Sequence, residues 1–283
     1  MIIGYKDLVR ESVLTDITGS GSFESGAPLE NAKDRRLMVL ARRADLGSVL
    51  IRSVFSTDQT IGLVSILGHN FPPGTQIGIL LQDSGGSTIA DSGTVLLPQY
   101  NADYNFPRHY HYVFQQNYTG VRRVIFNING VPIFSVYPEV GRLWAGPYFR
   151  PTRTTAVSDF EMQCRDNSAV NTSNGGQAYA DYRGRYRQLN CSLNGLTEIE
   201  AIGDFMGVDL PPNIQDIAFY VGRAGNIIVI PVTTTNSSGQ SYQVVHKFGV
   251  YGHFLEPPSL RLQATRSNRE RFYSATFQVV EEL

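Results

Sequence analysis

The chain has 283 residues, with 24 basic against 25 acidic side chains and a formal net charge of −1. That balance argues against a protein that works through a global basic field on nucleic acid or anionic membrane, and no run reaches the ~18 apolar residues of a membrane-spanning helix. With 42% apolar and only 17% charged residues, 27 glycines, 14 prolines, 15 tyrosines and 15 phenylalanines, the composition suits one large or two ordinary β-rich domains and disfavours a helical bundle.

Residues 1–14 carry Lys6, Asp7, Arg10 and Glu11, which breaks any signal-peptide core. Residues 18–34 are small and polar without a period of either kind, and with the stretch before them they read as an extended arm over 1–34. Strand signals then follow one another at short intervals: 36–42, 49–55, 60–67, 76–81, 93–97, 109–114, 122–128, 132–136 and 139–149. These are runs rich in Val, Ile and Leu, separated by Gly, Asn, Asp and Pro. Many short strands at such spacing predict a β-sandwich over 35–151.

Past Pro151 a second β-rich domain is expected over 152–283, with strands at 155–163, 177–182 and 185–193. One helix opens at Thr197-Glu198-Ile199-Glu200, a capping box, with Ile199, Ile202, Phe205 and Met206 as its apolar stripe and Pro211-Pro212 as its end. Strands resume at 217–220, 226–232, 243–254, 259–264 and 271–279. The fold class is therefore mainly β: a sandwich followed by a second β-rich domain with one or two short helices.

Motifs of catalysis are missing from the sequence: no metalloprotease His pair on a helix, nucleophile elbow, P-loop, dinucleotide glycine fingerprint or paired-Cys zinc spacing occurs. No cofactor is expected. His109 and His111 sit at i and i+2, so a strand would point both to one face. They are read either as two ligands of a shared metal or as two polar positions on a solvent-facing strand. Cys164 and Cys191 are read as a reduced pair or, if their strands are neighbours, a disulfide. Arg183, Arg185 and Arg187 alternate with Gly184 and Tyr186. They form either a strip for an acidic partner surface or an exposed charged face, with Tyr182, Tyr186 and Leu189 turned to the core. The densest aromatic segment, 141–151, holds the chain's single Trp, and Arg142, Trp144 and Tyr148 are either interface anchors or the plug of a domain. Of 24 basic residues only Lys6, Lys33 and Lys247 are lysines, an Arg bias typical of interfaces and equally of GC-rich coding.

Six segments, taken in order, resemble a known family. They are 63–70, ending Gly68-His69-Asn70; Asp91-Ser92-Gly93; 139–146, with Gly141-Arg142-Leu143-Trp144; and downstream 181–187, 193–200 and 272–282. Their sequence and spacing resemble tail-associated virion proteins of bacteriophages that carry a galactose-binding-like (discoidin-like) jelly roll. The resemblance implies a non-enzymatic structural protein of a tail collar, tip or baseplate, located in the virion and partnered by copies of itself and other tail proteins. The stretch 49–55 departs from the family pattern, and 101–118 is longer and richer in Tyr. The alternative is a carbohydrate-binding module that recognises host-surface glycan through the jelly-roll loops. A glycan-cleaving enzyme would need two carboxylates about 5–9.5 Å apart, and Asp83, Asp91 and Asp103 lie instead among turn residues where such side chains cap.

Overall fold

The computed structural model describes residues 1–19, 22–97, 109–129, 136–151, 158–166, 168–172, 178–181, 185–203, 212–231, 235–236, 239–240, 245–246, 248–265 and 271–282. The chain packs into two compact units. The first comprises 2–150 and 232–249; the second comprises residue 1, 151–231 and 250–283. The chain thus leaves the second unit after residue 231, adds 232–249 to the first, and returns. Two expectations change. The arm expected over 1–34 belongs to the first unit, and the stretch expected as one continuous domain over 152–283 is interrupted.

The first unit contains β1 (Ile2–Gly4), β2 (Val13–Asp16), β3 (Ala41–Arg42), β4 (Val49–Leu67), β5 (Gln76–Gln82), β6 (Thr88–Leu96), β7 (His109–Asn129), β8 (Glu139–Val140), β9 (Arg142–Gly146) and β10 (Tyr148–Phe149). Its sandwich is built by two long strands that change sheets. The first halves of β4 and last third of β7 lie in a five-stranded antiparallel sheet of order β2-β4-β7-β5-β6. The second half of β4 runs between β9 on one side and the start of β7 on the other, making a second, three-stranded sheet. The register breaks three times between Val54 and Leu63, where both strands turn the corner, as strands that switch sheets do. Gly120, at φ 74°, supplies a left-handed residue at this corner of β7. The core between the sheets holds Ile51, Ile61, Val64, Ile66, Ile77, Ile79, Tyr110, Phe126 and Leu143.

Burial along β4 shows the two environments. From Val49 to Phe55 buried residues alternate with half-buried ones, whereas Ile61 to Leu67 are all buried. The small sheet is thus covered on both faces, and the N-terminal residues are part of its surroundings. β1 pairs with β10, Leu8 N–H donates to Ala145 O at 2.9 Å, and β2 pairs with β4. Residues 22–27 run beside β3 through the bonds Ala44 N–H to Ser22 O, Glu24 N–H to Arg42 O and Arg42 N–H to Ala27 O. A segment without apolar period is ordered here by borrowing the backbone of a strand.

In the second unit the strands are β11 (Ser158–Asp166), β12 (Ala169–Thr172), β13 (Ala178–Asp181), β14 (Arg185–Thr197), β15 (Asn226–Ile230), β18 (Val250–Thr265) and β19 (Arg271–Glu281). The short β16 (Thr235–Asn236) and β17 (Gly239–Gln240) fall within the stretch given to the first unit. Within this unit the order is β15-β18-β19-β14-β11, all antiparallel, with β12-β13 a separate hairpin. α1 (Glu198–Ile202) opens with the expected capping box: Glu200 Oε2 accepts from Thr197 N–H at 2.8 Å, and Thr197 Oγ1 accepts from Glu200 N–H at 3.3 Å. Of its expected apolar stripe, Phe205 and Met206 lie outside the described residues. Gly203, at φ 85°, ends the helix, and Ile199 is exposed. The strand expected at 217–220 is instead part of α2 (Ile214–Val221). Asn213 Oδ1 accepts from Asp216 N–H at 2.8 Å, and Ile214, Ile217 and Val221 are buried at helical spacing. A good N-cap and this spacing outweigh the strand preference of Phe219, Tyr220 and Val221.

The arginine row falls differently from expectation. In β14 the buried positions are Arg187, Leu189, Cys191 and Leu193. Arg187 therefore shares the core face with Leu189, while Tyr186 lies on the other face. What permits a guanidinium there is Glu281 of β19: Arg187 Nε donates to its carboxylate at 2.8 Å and Arg187 N–H at 2.9 Å, and both side chains are buried. Arg185 is exposed and pairs with Asp166 of β11 at 3.0 Å. Arg183 lies outside the described residues. Cys164 is exposed and Cys191 buried, both thiols free, and they pair with Arg187 and Phe160 rather than with each other. Burial pushes the Cys191 thiol up to about 12.

Two stability predictions follow from this packing. A Cβ on Gly146 would lie 1.8 Å from Lys6 O, whereas one on Gly26 meets nothing within 4 Å. Gly146→Ala should therefore cost ~3 kcal/mol or more and Gly26→Ala ~0.5 kcal/mol or less, measured by urea unfolding followed through the fluorescence of Trp144. Arg187→Met strands a buried carboxylate and should cost about 3–5 kcal/mol, with most of that regained when Glu281→Leu is added. Arg185→Ser, which removes an exposed pair, should change stability by about 1 kcal/mol or less. Circular dichroism during unfolding checks this set.

Candidate binding surface

The outer face of the small sheet gathers four of the residues that the sequence singles out, His109, His111, Arg142 and Trp144. Ser65 of β4 stands between His111 of β7 and Trp144 of β9, and Leu67 between His109 and Arg142. This face is closed. Arg142 and Trp144 are 3% and 1% exposed, and His109 and His111 are 2% and 0% exposed. The solvent-facing reading of the two histidines is corrected: the strand they lie on is covered on both sides. Each imidazole is engaged by the fold, His109 Nδ1 accepting from Gly68 N–H at 3.2 Å and His111 Nδ1 bonding Ser65 Oγ at 2.8 Å. Their rings are 5.9 Å apart and tilted by 54°. Among the described residues no group of three His, Cys, Asp or Glu side chains could hold a metal ion.

Arg142 is held by Asp7, its Nε donating at 3.0 Å, and its guanidinium lies 5.6 Å from the centre of the Trp144 ring. Burial pushes the Asp7 carboxyl up, and Arg142 pulls against that shift. Tyr148 is buried, and Asn117 brackets it through two bonds, Nδ2 to Tyr148 O at 2.8 Å and Tyr148 N–H to Oδ1 at 3.0 Å. Arg142, Trp144 and Tyr148 thus fasten the N-terminal residues and β10 to the sandwich and present no surface to a partner. The Gly68-His69-Asn70 turn is similarly occupied with backbone. His69 Nδ1 accepts from Phe71 N–H at 3.3 Å, while Asn70 donates to Tyr137 O and accepts from Glu139 N–H, both at 2.8 Å. Asp83 and Asp91 cap turns, accepting from Ser87 N–H and Gly93 N–H at 2.8 Å. Residues 98–108 and 130–135, Asp103 among them, lie outside the described residues.

An open polar surface exists on the second unit. The antiparallel register aligns three rows of side chains across β11, β14, β19 and β18: Asp159–Ser192–Thr276–Ser259, Glu161–Asn190–Gln278–Glu256 and Gln163–Gln188–Val280–His253. The first two rows, Ser259 excepted, line a shallow trough of about 410 Å³, together with Phe160, Cys191 and Phe277. Strand alternation points the side chains of these three to the opposite face, which leaves the polar rows on the trough's side. The side chains form a connected ladder. Arg165 Nε donates to Gln188 Oε1 at 3.1 Å, Gln188 Nε2 to Asn190 Oδ1 and Gln278 Oε1 at 3.3 Å each, and Asn190 Nδ2 to Glu161 Oε2 at 3.3 Å. Ser259 and Thr276 hydroxyls bond at 2.8 Å.

Gln163 Nε2, at 2.8 Å, and then Asn190 hold the Glu161 carboxyl below its ordinary range. Glu161 is therefore an ionised acceptor at neutral pH and a poor proton donor. The lining contains Asp159, Glu161 and Glu256 but no lysine, arginine or histidine. Chemically the trough offers amide groups that donate and accept, hydroxyls that do both, and carboxylates that accept. The sequence carried a signal for it: from Gln188 to Asn194 amides and hydroxyls alternate with Leu189, Cys191 and Leu193. The cross-strand register, which brings these beside Glu161 and Gln278, is what the sequence did not show.

No family model matches the sequence, and no curated protein matches it. Solved structures similar to part of the chain include a fucose-binding module of Streptococcus pneumoniae (7% identity, 51% of this chain and 99% of that one, TM-score 0.37). They also include the family 32 carbohydrate-binding module of C. perfringens NanJ, solved with galactose (11% identity, 53% and 100%, TM-score 0.39). The lectin domain of lectinolysin, solved with Lewis B antigen, shows 9% identity over 51% of this chain and 98% of that one, with a TM-score of 0.37.

Proposed function

We propose that the protein is a non-catalytic recognition protein whose polar trough binds a glycan. The observation that carries this reading is the trough: a shallow cavity of about 410 Å³, ligand-sized, with amide or hydroxyl groups on β14 and β19 and carboxylates on the flanking strands. A sugar ring presents hydroxyls that donate and accept in every direction. Asn190, Gln278, Ser192 and Thr276 answer both roles. Glu161 accepts from a hydroxyl but is a poor general acid, which favours binding over hydrolysis of a glycosidic bond.

A second reading is assembly into a phage tail, with copies of the chain and other tail proteins as partners and the virion as its location. It rests on the resemblance of the six sequence segments. The structure adds one observation in its favour: Phe219, Ile199 and Leu262 of the second unit are 79%, 49% and 51% exposed, large apolar side chains of the kind that contacts between proteins cover. The two readings are compatible, since a tail protein that binds host-surface sugar does both.

A glycan array probed with the whole protein tests the first reading, followed by calorimetric titration of any glycan that responds. Asn190→Ala with Gln278→Ala should weaken binding at least about tenfold, because each lost hydrogen bond is worth ~0.5–1.5 kcal/mol. Asp58→Asn, on the first unit, should leave it unchanged. An array without a responding glycan, or binding indifferent to the double variant, overturns the trough as the site. For the second reading, mass photometry should show multiples of the monomer mass, and Phe219→Ser with Leu262→Ser should return the protein to monomer.

A further inference from the structure

Four of the chain's five histidines, His69, His109, His111 and His246, are buried, and all four belong to the first unit. His246 differs from the others in origin, because it comes from the stretch 232–249 that the chain inserts between β15 and β18. It is 4% exposed, its ring stacks on Tyr110 at 4.9 Å, and it lies 6.4 Å from the ring of His111. Its Nδ1 accepts the backbone N–H of His111 at 3.0 Å. An imidazole that accepts through Nδ1 carries its one proton on Nε2, so a second proton must enter at the accepting atom. The acceptor then becomes a donor facing a donor. Gly249, beside it, sits so close that a Cβ would fall 2.6 Å from the His111 ring.

Among the described residues, the groups near the ring come from three strands. β7 supplies Tyr110, which stacks on it, and on the outer face His111 and, beyond it, His109; β4 supplies Ser65, bonded to His111. β9 supplies Trp144 and the positive Arg142, which engages Asp7. We infer that His246 is an acid-sensitive latch: uptake of a proton at Nδ1 releases Val245, His246 and Gly249 from the face formed by β4 and β7. Burial agrees with this, holding the docked imidazole down at about 3 against an ordinary 6.5.

The sign follows from the two states. The released ring binds a proton as pH falls below about 6.5, and the docked ring does not until about 3. Docking is therefore at full strength above about 6.5 and weakens about tenfold per pH unit below it. The pH of release is then set by how strongly the latch docks.

Hydrogen exchange of the His111 and Gly249 amides between pH 7.5 and 4, corrected for intrinsic rates, reads this directly. The His111 amide reports docking, because its bond crosses from β7 to the latch; Gly249 N–H is held by Val245 O at 2.9 Å within the latch, so it reports whether the released turn itself opens. Protection of the His111 amide should fall about tenfold per pH unit below about 6, while Trp144 fluorescence stays that of the folded unit. His246→Asn keeps an acceptor near the Nδ1 position and cannot take the proton, so its protection should stay flat. Gly249→Ala should shift the onset of release upward by about one pH unit per tenfold loss of docking. An NMR titration of the His246 ring in the unaltered protein gives a readout independent of any variant. The inference is overturned by protection that does not change down to pH 4, by the same pH dependence in His246→Asn, by loss of protection only with unfolding of the whole unit, or by a docked His246 that titrates at 6 or above.

Discussion

A sheet covered on both faces leaves no solvent for its polar groups, and that constraint shapes the first unit. The three-stranded sheet of β9, β4 and β7 carries Ser65, His109, His111, Arg142 and Trp144 on its outer side. Each buried polar group must find a partner within the protein, because an unpaired one costs about 1–3 kcal/mol. The partners come from distant parts of the chain: Asp7 lies 135 residues from Arg142, and His246 lies 135 residues from His111. Burial of one small sheet thus recruits both the N-terminal residues and the inserted stretch. The sandwich cannot be understood as an independent module with an arm added to it.

The second unit meets the same difficulty in a different manner. Its sheet sends polar groups to one side and apolar groups to the other, so most hydrogen-bonding side chains keep access to water. On the buried side Arg187 and Glu281 break the pattern, and they do so together. An ion pair of this kind is weak evidence of added stability, since an apolar pair of similar volume often serves as well. Its physical effect is on register: Arg187 reaches Glu281 by both side chain and backbone, so β14 and β19 cannot slide by one residue without stranding a charge. The polar face opposite depends on that register, because a slip would scatter the rows that form the trough.

How much of this was legible in the sequence varied with the distance over which the determining contact acts. Local signals read well. The capping box at Thr197 and the strands at 76–81, 122–128 and 271–279 depend on neighbours a few residues away. The fold class follows from the same signals. The boundary of α1 and the helical state of 214–221 were misjudged because caps and tertiary burial outweighed residue preference. Of the strand expected at 36–42 only Ala41–Arg42 forms; residues 36–40 make a turn in which Leu37 is the buried residue. The histidines, Arg142 and Arg187 were noticed correctly as unusual, but alternation alone cannot say that a face is covered by a segment more than a hundred residues away. The trough was the least visible, since it is made by four strands whose register is set only in space.

The order of strands in the second unit has a consequence for how the protein is made. β19 lies between β18 and β14, and it is the piece that joins β15-β18 to β14-β11 within that unit. All of its neighbours are synthesised before it. During translation the two halves of the sheet exist with their inner edges bare, and the edges of β18 and β14 are each open to other strands. Glu281, the partner Arg187 awaits, arrives with the same strand. The unit therefore closes in one late step, and the interval before that step is when a nascent chain of this protein is most exposed to mispairing.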